Sequence, residues 1–384
     1  MSGPGIEPAW LFLSIFTCVG PRIIWAGYHW TTALCIFGDS VMDAGNNNYL
    51  PTFLRANFLP YGRDFVTHEP TGRFCNGKLA VDYTAEYLGF RTYPPPYLSA
   101  ANGTLLLNGA NFASAGSGFY HRTARLYQSI TLTRQIAYYR DWQDQVVNIV
   151  GHKRTNAIFS RGIHILCAGN SDFLQHYYIS PLLNRMYTPS QFSKILLNSY
   201  YAFVESLYSL GVRRIGVTTL PPVGCLPAAI TLFGDKTRGC VSRFNNDAMM
   251  FNNKLNETSQ RLVAQFPGLK LVIFDIYHPL LDIITNPSNN DFYESRRGCC
   301  GTGIFETSFL CNANSIGTCS NATGYVFWDG FHPSEAANRI LAQTQLAQGL
   351  NLIFYNCYIY NMKWLICISV CIKLTMFFCK MFKI

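Results

Sequence analysis

The residues best suited to chemistry are one serine near the start of the chain and an aspartate–histidine pair near its end. Ser40 lies in CIFGDSVMDAGNNN (35–48), and Asp329 and His332 lie three residues apart in YVFWDGFHPSEAAN (325–338). A serine hydroxyl becomes a nucleophile when an imidazole takes its proton and a carboxylate orients that imidazole. Taken singly, Ser40 fits a capping residue after a strand, and Asp-x-x-His fits an ordinary polar turn. Taken together, they predict a catalytic Ser–His–Asp set.

Acyl transfer also requires hydrogen-bond donors for the oxyanion that develops on the substrate. The backbone N–H of Ser40 is one candidate donor. Gly116, in NGANFASAGSGF (108–119), is a second, because a residue without a side chain lets its amide approach a ligand closely. The stretch CAGNSDF (167–173) is a third polar element of the same kind. Gly116 also fits a simple glycine bend after a buried strand.

The elements that must position these residues are strands alternating with helices. Short apolar runs bounded by glycine or polar residues predict strands, at Ala33–Phe37, Leu105–Phe112, Ile163–Ala168, Arg214–Thr219 and Leu271–Asp275. Periodic segments with start and stop signals predict helices, at Ser190–Leu210, Arg243–Phe266 and Ser334–Leu350. This alternation predicts an α/β fold with a parallel sheet covered on both faces. Working residues then gather beyond the carboxyl ends of the strands, where Ser40, Gly116 and Ser171 all fall.

Composition excludes several classes of function. The 384-residue chain is 49% hydrophobic and only 13% charged, so an intrinsically disordered chain is excluded. Its formal charge of +9 includes four lysines that follow Gly349, and no basic stripe with interleaved aromatic residues is present before them. Nucleic-acid binding is therefore not predicted. The sequence has no Cys-x-x-Cys pair with partner histidines that would indicate a zinc site. We therefore expect neither a metal nor a cofactor.

The cysteines and glycosylation sequons favour a secretory compartment. Six of the 14 cysteines cluster in loop-like, glycine-rich sequence, namely Cys225, Cys240, Cys299, Cys300, Cys311 and Cys319. Asn-x-Ser/Thr sequons occur at Asn102, Asn256 and Asn321. Together these features predict an oxidising environment and a secreted glycoprotein.

Both ends of the chain differ from the region between them. Residues 1–30 contain the apolar run AWLFLSIFTCVG (9–20), which predicts a signal or leader segment, although Glu7 precedes it and no basic residue does. Residues 351–384 form an apolar, cysteine-rich tail interrupted by Lys363 and Lys373. A weak anchor, an interfacial segment and a tail outside the fold are three interpretations, and we favour the last. No stable membrane span is expected, since a span needs about 20 mostly apolar residues. Residues 31–350 are then one domain.

Four stretches together resemble the conserved blocks of the plant GDSL esterase/lipase family, within the SGNH hydrolase superfamily. In the family's order and spacing they are FGDSVMDAGNNN (37–48), NFASAGSG (111–118), AGNSDF (168–173) and DGFHPSEAAN (329–338). Shorter stretches that also match are YGRDF (61–65), PTGRFCNGK (70–78), LPPVGCLP (220–227) and CCGTG (299–303). The resemblance covers Leu34 to Leu350, and four ordered blocks are far more specific than any single motif.

The resemblance implies a flavodoxin-like three-layer α/β/α fold and metal-free hydrolysis of carboxylic esters. By position it makes Ser40 the nucleophile, His332 the base and Asp329 the residue that orients the base. It also implies an oxyanion hole formed by the amides of Ser40 and Gly116. One position departs from the family, whose third block, Gly-x-Asn-Asp, supplies an asparagine side chain where this chain has Ser171. Either Ser171 substitutes for that donor, or Asn170 reaches in, or the activity is reduced.

The interpretation that follows is a monomeric, secreted serine esterase or lipase acting on a lipid or small acyl ester. An acyltransferase with the same catalytic set is one alternative, and a catalytically weak protein that binds acylated ligands is another. Asp43 and Asn46–Asn48 are predicted to support the Ser40 loop through bonds from side chains to backbone. Substrate choice is assigned to Tyr120–Tyr127 and Phe173–Leu183. Four aromatic residues have two interpretations, as the lining of an apolar channel or, more commonly, as part of the core. They are Phe119, Phe173, Tyr177 and Tyr178.

Overall fold

The computed structural model describes residues 31–99, 103–236 and 239–353. The predicted leader, the sequon at Asn102 and the chain after residue 353 lie outside the described residues.

Six strands and eleven α-helices make up the regular structure of the described residues. The strands are β1 Leu34–Gly38, β2 Ile163–Cys167, β3 Arg214–Thr218, β4 Lys270–Phe274, β5 Glu294–Gly298 and β6 Tyr325–Phe327. The helices are α1 Ala80–Tyr87, α2 His121–Leu126, α3 Leu132–Val150, α4 His152–Arg161, α5 Pro181–Met186, α6 Pro189–Ser209, α7 Pro227–Phe233, α8 Ser242–Gln265, α9 Tyr277–Thr285, α10 Glu335–Gln348 and α11 Leu350–Ile353. The three predicted helices therefore exist as α6, α8 and α10, each within two residues of its expected ends.

The central sheet contains four parallel strands in the order β1-β2-β3-β4. All residues of β1, β2 and β3 are buried, as their mainly apolar sequences predict for parallel strands covered on both faces. Strands β5 and β6 form a separate two-stranded parallel sheet. The fold is thus α/β, with a parallel sheet flanked by helices, as expected.

The strand predicted at Leu105–Phe112 is wrong. Residues Gly103–Asn108 form a short 3₁₀ helix, and only Asn111 makes a parallel bridge to Ile36 of β1. Gly109 explains the change, because a Cβ at this position would lie 2.0 Å from the carbonyl oxygen of Leu34. The chain therefore meets β1 at a close crossing, and residues 110–114 then run beside β1 through scattered backbone bonds.

Helices cover the sheet on both faces. One face packs against apolar residues of α3, α6 and α8, including Trp142, Tyr200 and Phe251. The opposite face packs against α1 and α11, and α10 lies beside α1. The sheet is the middle of three layers, so its carboxyl edge is the open place where loops can present side chains.

The fold continues a little beyond the expected boundary at residue 350. Helix α11 packs against β4, and its Leu352 is buried among apolar residues of the sheet. Among the residues described, no helix is long and apolar enough to cross a bilayer.

Candidate active site

The structure brings Ser40, His332 and Asp329 together at the carboxyl edge of the sheet. Ser40 Oγ lies 2.8 Å from His332 Nε2. His332 Nδ1 lies 2.8 Å and 2.9 Å from the two carboxylate oxygens of Asp329. A carboxylate can only accept here, so Nδ1 carries the proton and Nε2 is left to accept one from the serine hydroxyl. The contact between Ser40 and His332 joins residues 292 apart in sequence, whereas Asp329 and His332 share one turn.

Asp329 accepts hydrogen bonds from four further donors. Its Oδ1 accepts the backbone N–H groups of Phe331 and His332, at 2.9 Å and 2.8 Å. Its Oδ2 accepts the phenol of Tyr61 at 2.8 Å and the hydroxyl of Thr307 at 2.9 Å. Sequence reasoning missed both hydroxyl donors, although Tyr61 begins the YGRDF stretch. With every lone-pair direction occupied, the carboxylate is fixed relative to the imidazole.

Two disulfides restrain the chain segments that surround Asp329. Cys299 pairs with Cys319, and Cys300 pairs with Cys311. The amide of Cys300 donates to the carbonyl of Trp328, directly before Asp329, at 2.8 Å. The 300–311 loop carries Thr307, so this cross-link also restrains a donor to the carboxylate. A third disulfide joins Cys225 to Cys240.

Ser40 stands on a turn that leaves little room for variation. A Cβ on Gly38 would lie 1.8 Å from the carbonyl oxygen of Cys167, and Gly38 has a φ of 133°. Buried Gln135 on α3 fixes the same residue, accepting from its N–H and donating to its C=O, each at 2.9 Å. Sequence reasoning identified the glycine turn but not Gln135, because the clamp joins segments far apart in sequence.

The asparagine-rich stretch ties the Ser40 loop to the segment that carries Gly116. Asp43 Oδ2 accepts the amide of Ala115 at 3.0 Å. Asn46 Nδ2 donates to the carbonyls of Asn111 and Ala113, both at 2.8 Å, and Asn47 Nδ2 donates to that of Ala115 at 3.0 Å. The predicted supporting role of these side chains is confirmed.

The candidate oxyanion donors differ in whether they share a cavity with Ser40. Within the described chain, the N–H groups of Ser40 and Gly116 donate to no protein group. Gly116 has a φ of 81°, and a Cβ there would meet Leu54 at 2.7 Å. Ser171 and Asn170 line one cavity with Ser40 and His332, whereas Gly116 is not on its wall. Asn170 Oδ1 is buried without a hydrogen-bond partner.

A π-helix, Ser171–Tyr177, follows β2 and begins at the position of the missing family asparagine. Such wide turns are rare and often occur at functional sites. Asp172 anchors this one, accepting the amide of Phe119 and the hydroxyl of Thr123, each at 2.7 Å. A Cβ on Gly118 would lie 2.2 Å from that carboxylate, so glycine is required for the close approach. Asp172 thereby holds Ser171 against the loop that follows Gly116.

Of the two interpretations of the four aromatic residues, core packing is the one that the structure confirms. Phe119, Phe173 and Tyr177 are buried in the core, and Tyr178 stacks on Phe244 at 3.5 Å between ring centroids. The two segments assigned to substrate choice are mainly helical, containing α2, the π-helix and part of α5. Only Leu174 and Gln175 from them face the cavity beside Ser40.

Two buried carboxyls beside His332 differ in their electrostatics. Burial alone raises the pKa of Asp329, but the charge and hydrogen bonds of His332, with those of Phe331 and Tyr61, outweigh it and lower the pKa below the ordinary value. Burial raises the pKa of Asp39 to about 7, against a hydrogen bond from Val41 and the charge of His332. Asp39 Oδ2 has no hydrogen-bond partner. Asp329 is therefore the ionised partner of the imidazole.

Comparison with known proteins gives the class to which this arrangement belongs. The model of the GDSL-like lipase/acylhydrolase family matches residues 34–344. The chain is 63% identical to the Arabidopsis thaliana protein GDSL esterase/lipase At5g03820 over 84% of its own length and 92% of that relative. It is 61% identical to A. thaliana GDSL esterase/lipase At3g53100, over 89% of this chain and 96% of the relative. A. thaliana GDSL esterase/lipase APG is 54% identical over 84% of this chain and 92% of that protein.

The chain belongs to the GDSL-like lipase/acylhydrolase family. It is a carboxylic ester hydrolase, as the sequence motifs predicted.

Proposed function

We propose that this protein hydrolyses carboxylic esters through an acyl-enzyme, with Ser40 as nucleophile, His332 as general base and Asp329 as the residue that orients the base. The single observation that carries the proposal is the unbroken chain of short contacts from Ser40 Oγ through the imidazole to the Asp329 carboxylate, at 2.8 Å per step. That arrangement matches the geometry required for serine activation.

In the first half of the reaction, Ser40 Oγ attacks the ester carbonyl carbon while its proton passes to His332 Nε2. The tetrahedral intermediate collapses as the C–O bond to the alcohol breaks, and His332 gives its proton to the departing alkoxide. The acyl group remains on Ser40. In the second half, a water attacks the acyl-enzyme, gives a proton to His332, and Ser40 leaves with that proton as the carboxylic acid is released.

The oxyanion of each tetrahedral intermediate is proposed to lie against the amides of Ser40 and Gly116, with the Ser171 hydroxyl as the third donor. Two observations support this proposal. Neither amide donates a hydrogen bond to another group of the described residues, and Ser171 lines the same cavity as Ser40. Asn170 lies on the same wall and is the alternative donor.

The same proposal includes a secreted protein whose hydrolase domain extends from residue 31 to Ile353. Three disulfides among the described residues support an oxidising compartment. The sequon residues Asn256 and Asn321 are exposed and open to glycosylation. A shift in gel mobility on treatment of the secreted protein with an N-glycosidase tests this part.

Hydrolysis of p-nitrophenyl esters by matched serine variants tests the catalytic assignment. Ser40→Ala should abolish turnover while leaving the thermal unfolding profile unchanged, because it removes one hydroxyl at a turn. Ser288→Ala, at an exposed position in the 3₁₀ helix Pro287–Asn290, is the control and should keep full activity. Retention of most activity by folded Ser40→Ala contradicts the proposal.

A further inference from the structure

An apolar cavity of about 40 Å³ opens directly beside Ser40 and His332. Its inner wall is made by the carboxyl ends of β2 and β3 and by the facing sides of α9 and α10. The residues that form it include Cys167, Thr218, Leu280, Leu341 and Gln345. Each of them is at least nine-tenths buried, so the cavity leads from the reactive serine into the protein interior.

The position of the cavity decides which part of an ester it suits. The acyl group stays bonded to Ser40 after the alcohol has left, so a space that begins at Ser40 and is lined by buried residues suits the acyl chain. The alcohol has to depart, and the more open side of the site, beside Gln175 and Phe331, leaves it room. The apolar lining also fits the hydrocarbon of an acyl chain better than a polar leaving group.

The volume of the cavity limits the length of that chain. One water-sized sphere occupies roughly 10–15 Å³ on this measure. A cavity of about 40 Å³ therefore holds about three such spheres, equivalent to a short acyl chain of roughly two to four carbon atoms. A long fatty acyl chain does not fit unless the cavity is extended.

Gln345 on α10 stands where such an extension would begin. A second cavity, of about 20 Å³, lies between α1, β2 and α11, and Leu88, Ile165 and Leu352 are on its wall. Gln345 lines both cavities and is only 7% exposed. Its side chain is therefore positioned as the partition between them.

Resting on the proposed function, the geometry points to a short-chain acyl ester as the substrate, with Gln345 as the residue that sets the limit on acyl length. Removing most of its side chain joins the two cavities and admits a longer chain. Each further methylene accommodated should raise kcat/KM by about fourfold.

The test is the acyl-length profile of kcat/KM for p-nitrophenyl esters from acetate to decanoate. The wild-type enzyme should be most active between acetate and butyrate, and at least about tenfold less active on decanoate. Gln345→Ala should move the maximum to hexanoate or octanoate. Gln343→Ala is the matched control, since Gln343 is half-buried on the same helix and lines neither cavity. Its profile should equal that of the wild type.

A second variant acts in the opposite direction and guards against a folding defect in Gln345→Ala. Leu280→Phe fills the first cavity from α9, so activity on butyrate should fall relative to activity on acetate. A wild-type maximum at octanoate or decanoate overturns the inference, as does an unchanged profile in folded Gln345→Ala. If a fluorophosphonate labels Ser40, either of these two outcomes overturns the inference about acyl length but leaves the proposed function intact. An enzyme that is neither labelled nor active on any ester contradicts both.

Discussion

The phenol of Tyr61 donates a 2.8 Å hydrogen bond to Asp329 Oδ2, across 268 residues of sequence. The same phenol oxygen accepts the amide of Ser308 at 2.8 Å. Tyr61 is fully buried and packs edge-on against Trp328, with 6.1 Å between ring centroids. It therefore joins the YGRDF stretch (61–65) to the carboxylate that contacts His332.

Tyr61→Phe should lower kcat by about tenfold with little change in KM. The substitution removes one hydrogen bond to a charged group, which is typically worth about 1.5–3 kcal/mol, while the other donors keep Asp329 in place. Steady-state kinetics measures the effect. The control is Tyr201→Phe, which removes a hydroxyl that is hydrogen-bonded to Gln265 away from the site. This variant should have the kcat of the wild type. Equal kcat values for all three proteins contradict a positioning role for Tyr61.

The Cys300–Cys311 disulfide should matter more for activity than Cys225–Cys240 does. Its loop carries Thr307, which donates to Asp329 at 2.9 Å. Loss of a disulfide typically costs on the order of 2–4 kcal/mol in stability. We expect the paired Cys300→Ala and Cys311→Ala substitution to lower kcat more than tenfold at a temperature where the variant remains folded.

The matched control is the Cys225→Ala and Cys240→Ala pair, which should lower the melting temperature but keep kcat within about threefold of the wild type. Circular dichroism establishes folding for both double variants before kinetics. Equal losses of kcat in the two would mean that the cross-links act on global stability alone.

Asp39 should make the protein less stable as pH rises. Burial raises its pKa in the folded protein to about 7, whereas an unfolded aspartate titrates near ~3.9. Between these values the folded form holds a proton that the unfolded form has lost. The stabilising contribution is therefore complete below about pH 4 and is lost as pH rises through about 7. His332 and Asp172 are the charged groups whose fields also act on it.

Asp39→Asn keeps the shape of the side chain but cannot ionise. The free energy of unfolding, measured with urea from pH 4 to pH 8, should fall more steeply in the wild type than in the variant, by ~2–4 kcal/mol over the range. Subtraction of the two curves removes titrations that both proteins share. A difference that does not vary with pH would show that Asp39 is ionised throughout.

Ser171 should act on the transition state rather than on substrate binding. Losing an oxyanion donor typically costs about 10²–10³ in rate. Ser171→Ala should lower kcat with little change in KM, because the bond strengthens mainly as the oxyanion forms. Asn170→Ala should have a smaller effect, and Ser171→Asn should restore or raise activity. If Ser171→Ala left kcat unchanged and Asn170→Ala lowered it strongly, Asn170 would be the oxyanion donor instead.

Much of the fold was predictable from sequence because its signals are local. Buried parallel strands such as β1 are continuous apolar runs, and α10 follows Ser334, whose hydroxyl accepts the amide of Ala337 as a cap. The strand predicted at Leu105–Phe112 failed because its apolar pattern fits both structures, and the close crossing of Gly109 over Leu34 decided between them.

The site residues also divide into those that a local motif marks and those that only the fold brings to the site. Ser40, Asp329 and His332 were predictable because motifs mark them. Tyr61, Thr307 and Gln135 were not, because their contacts join distant segments and carry no spacing rule. Gln345 was hidden by its place in an ordinary helical pattern, and only the packing of α10 against α1 and α9 gives it a position between two cavities.

The identity of the nucleophile is the central claim, and covalent labelling tests it most directly. A fluorophosphonate probe reacts with an activated serine hydroxyl, and mass spectrometry of the digested protein locates the modified residue. We predict stoichiometric labelling of Ser40, lost in Ser40→Ala and greatly slowed in His332→Ala. Absence of labelling in a folded protein that hydrolyses esters, or labelling at another serine, would contradict the account.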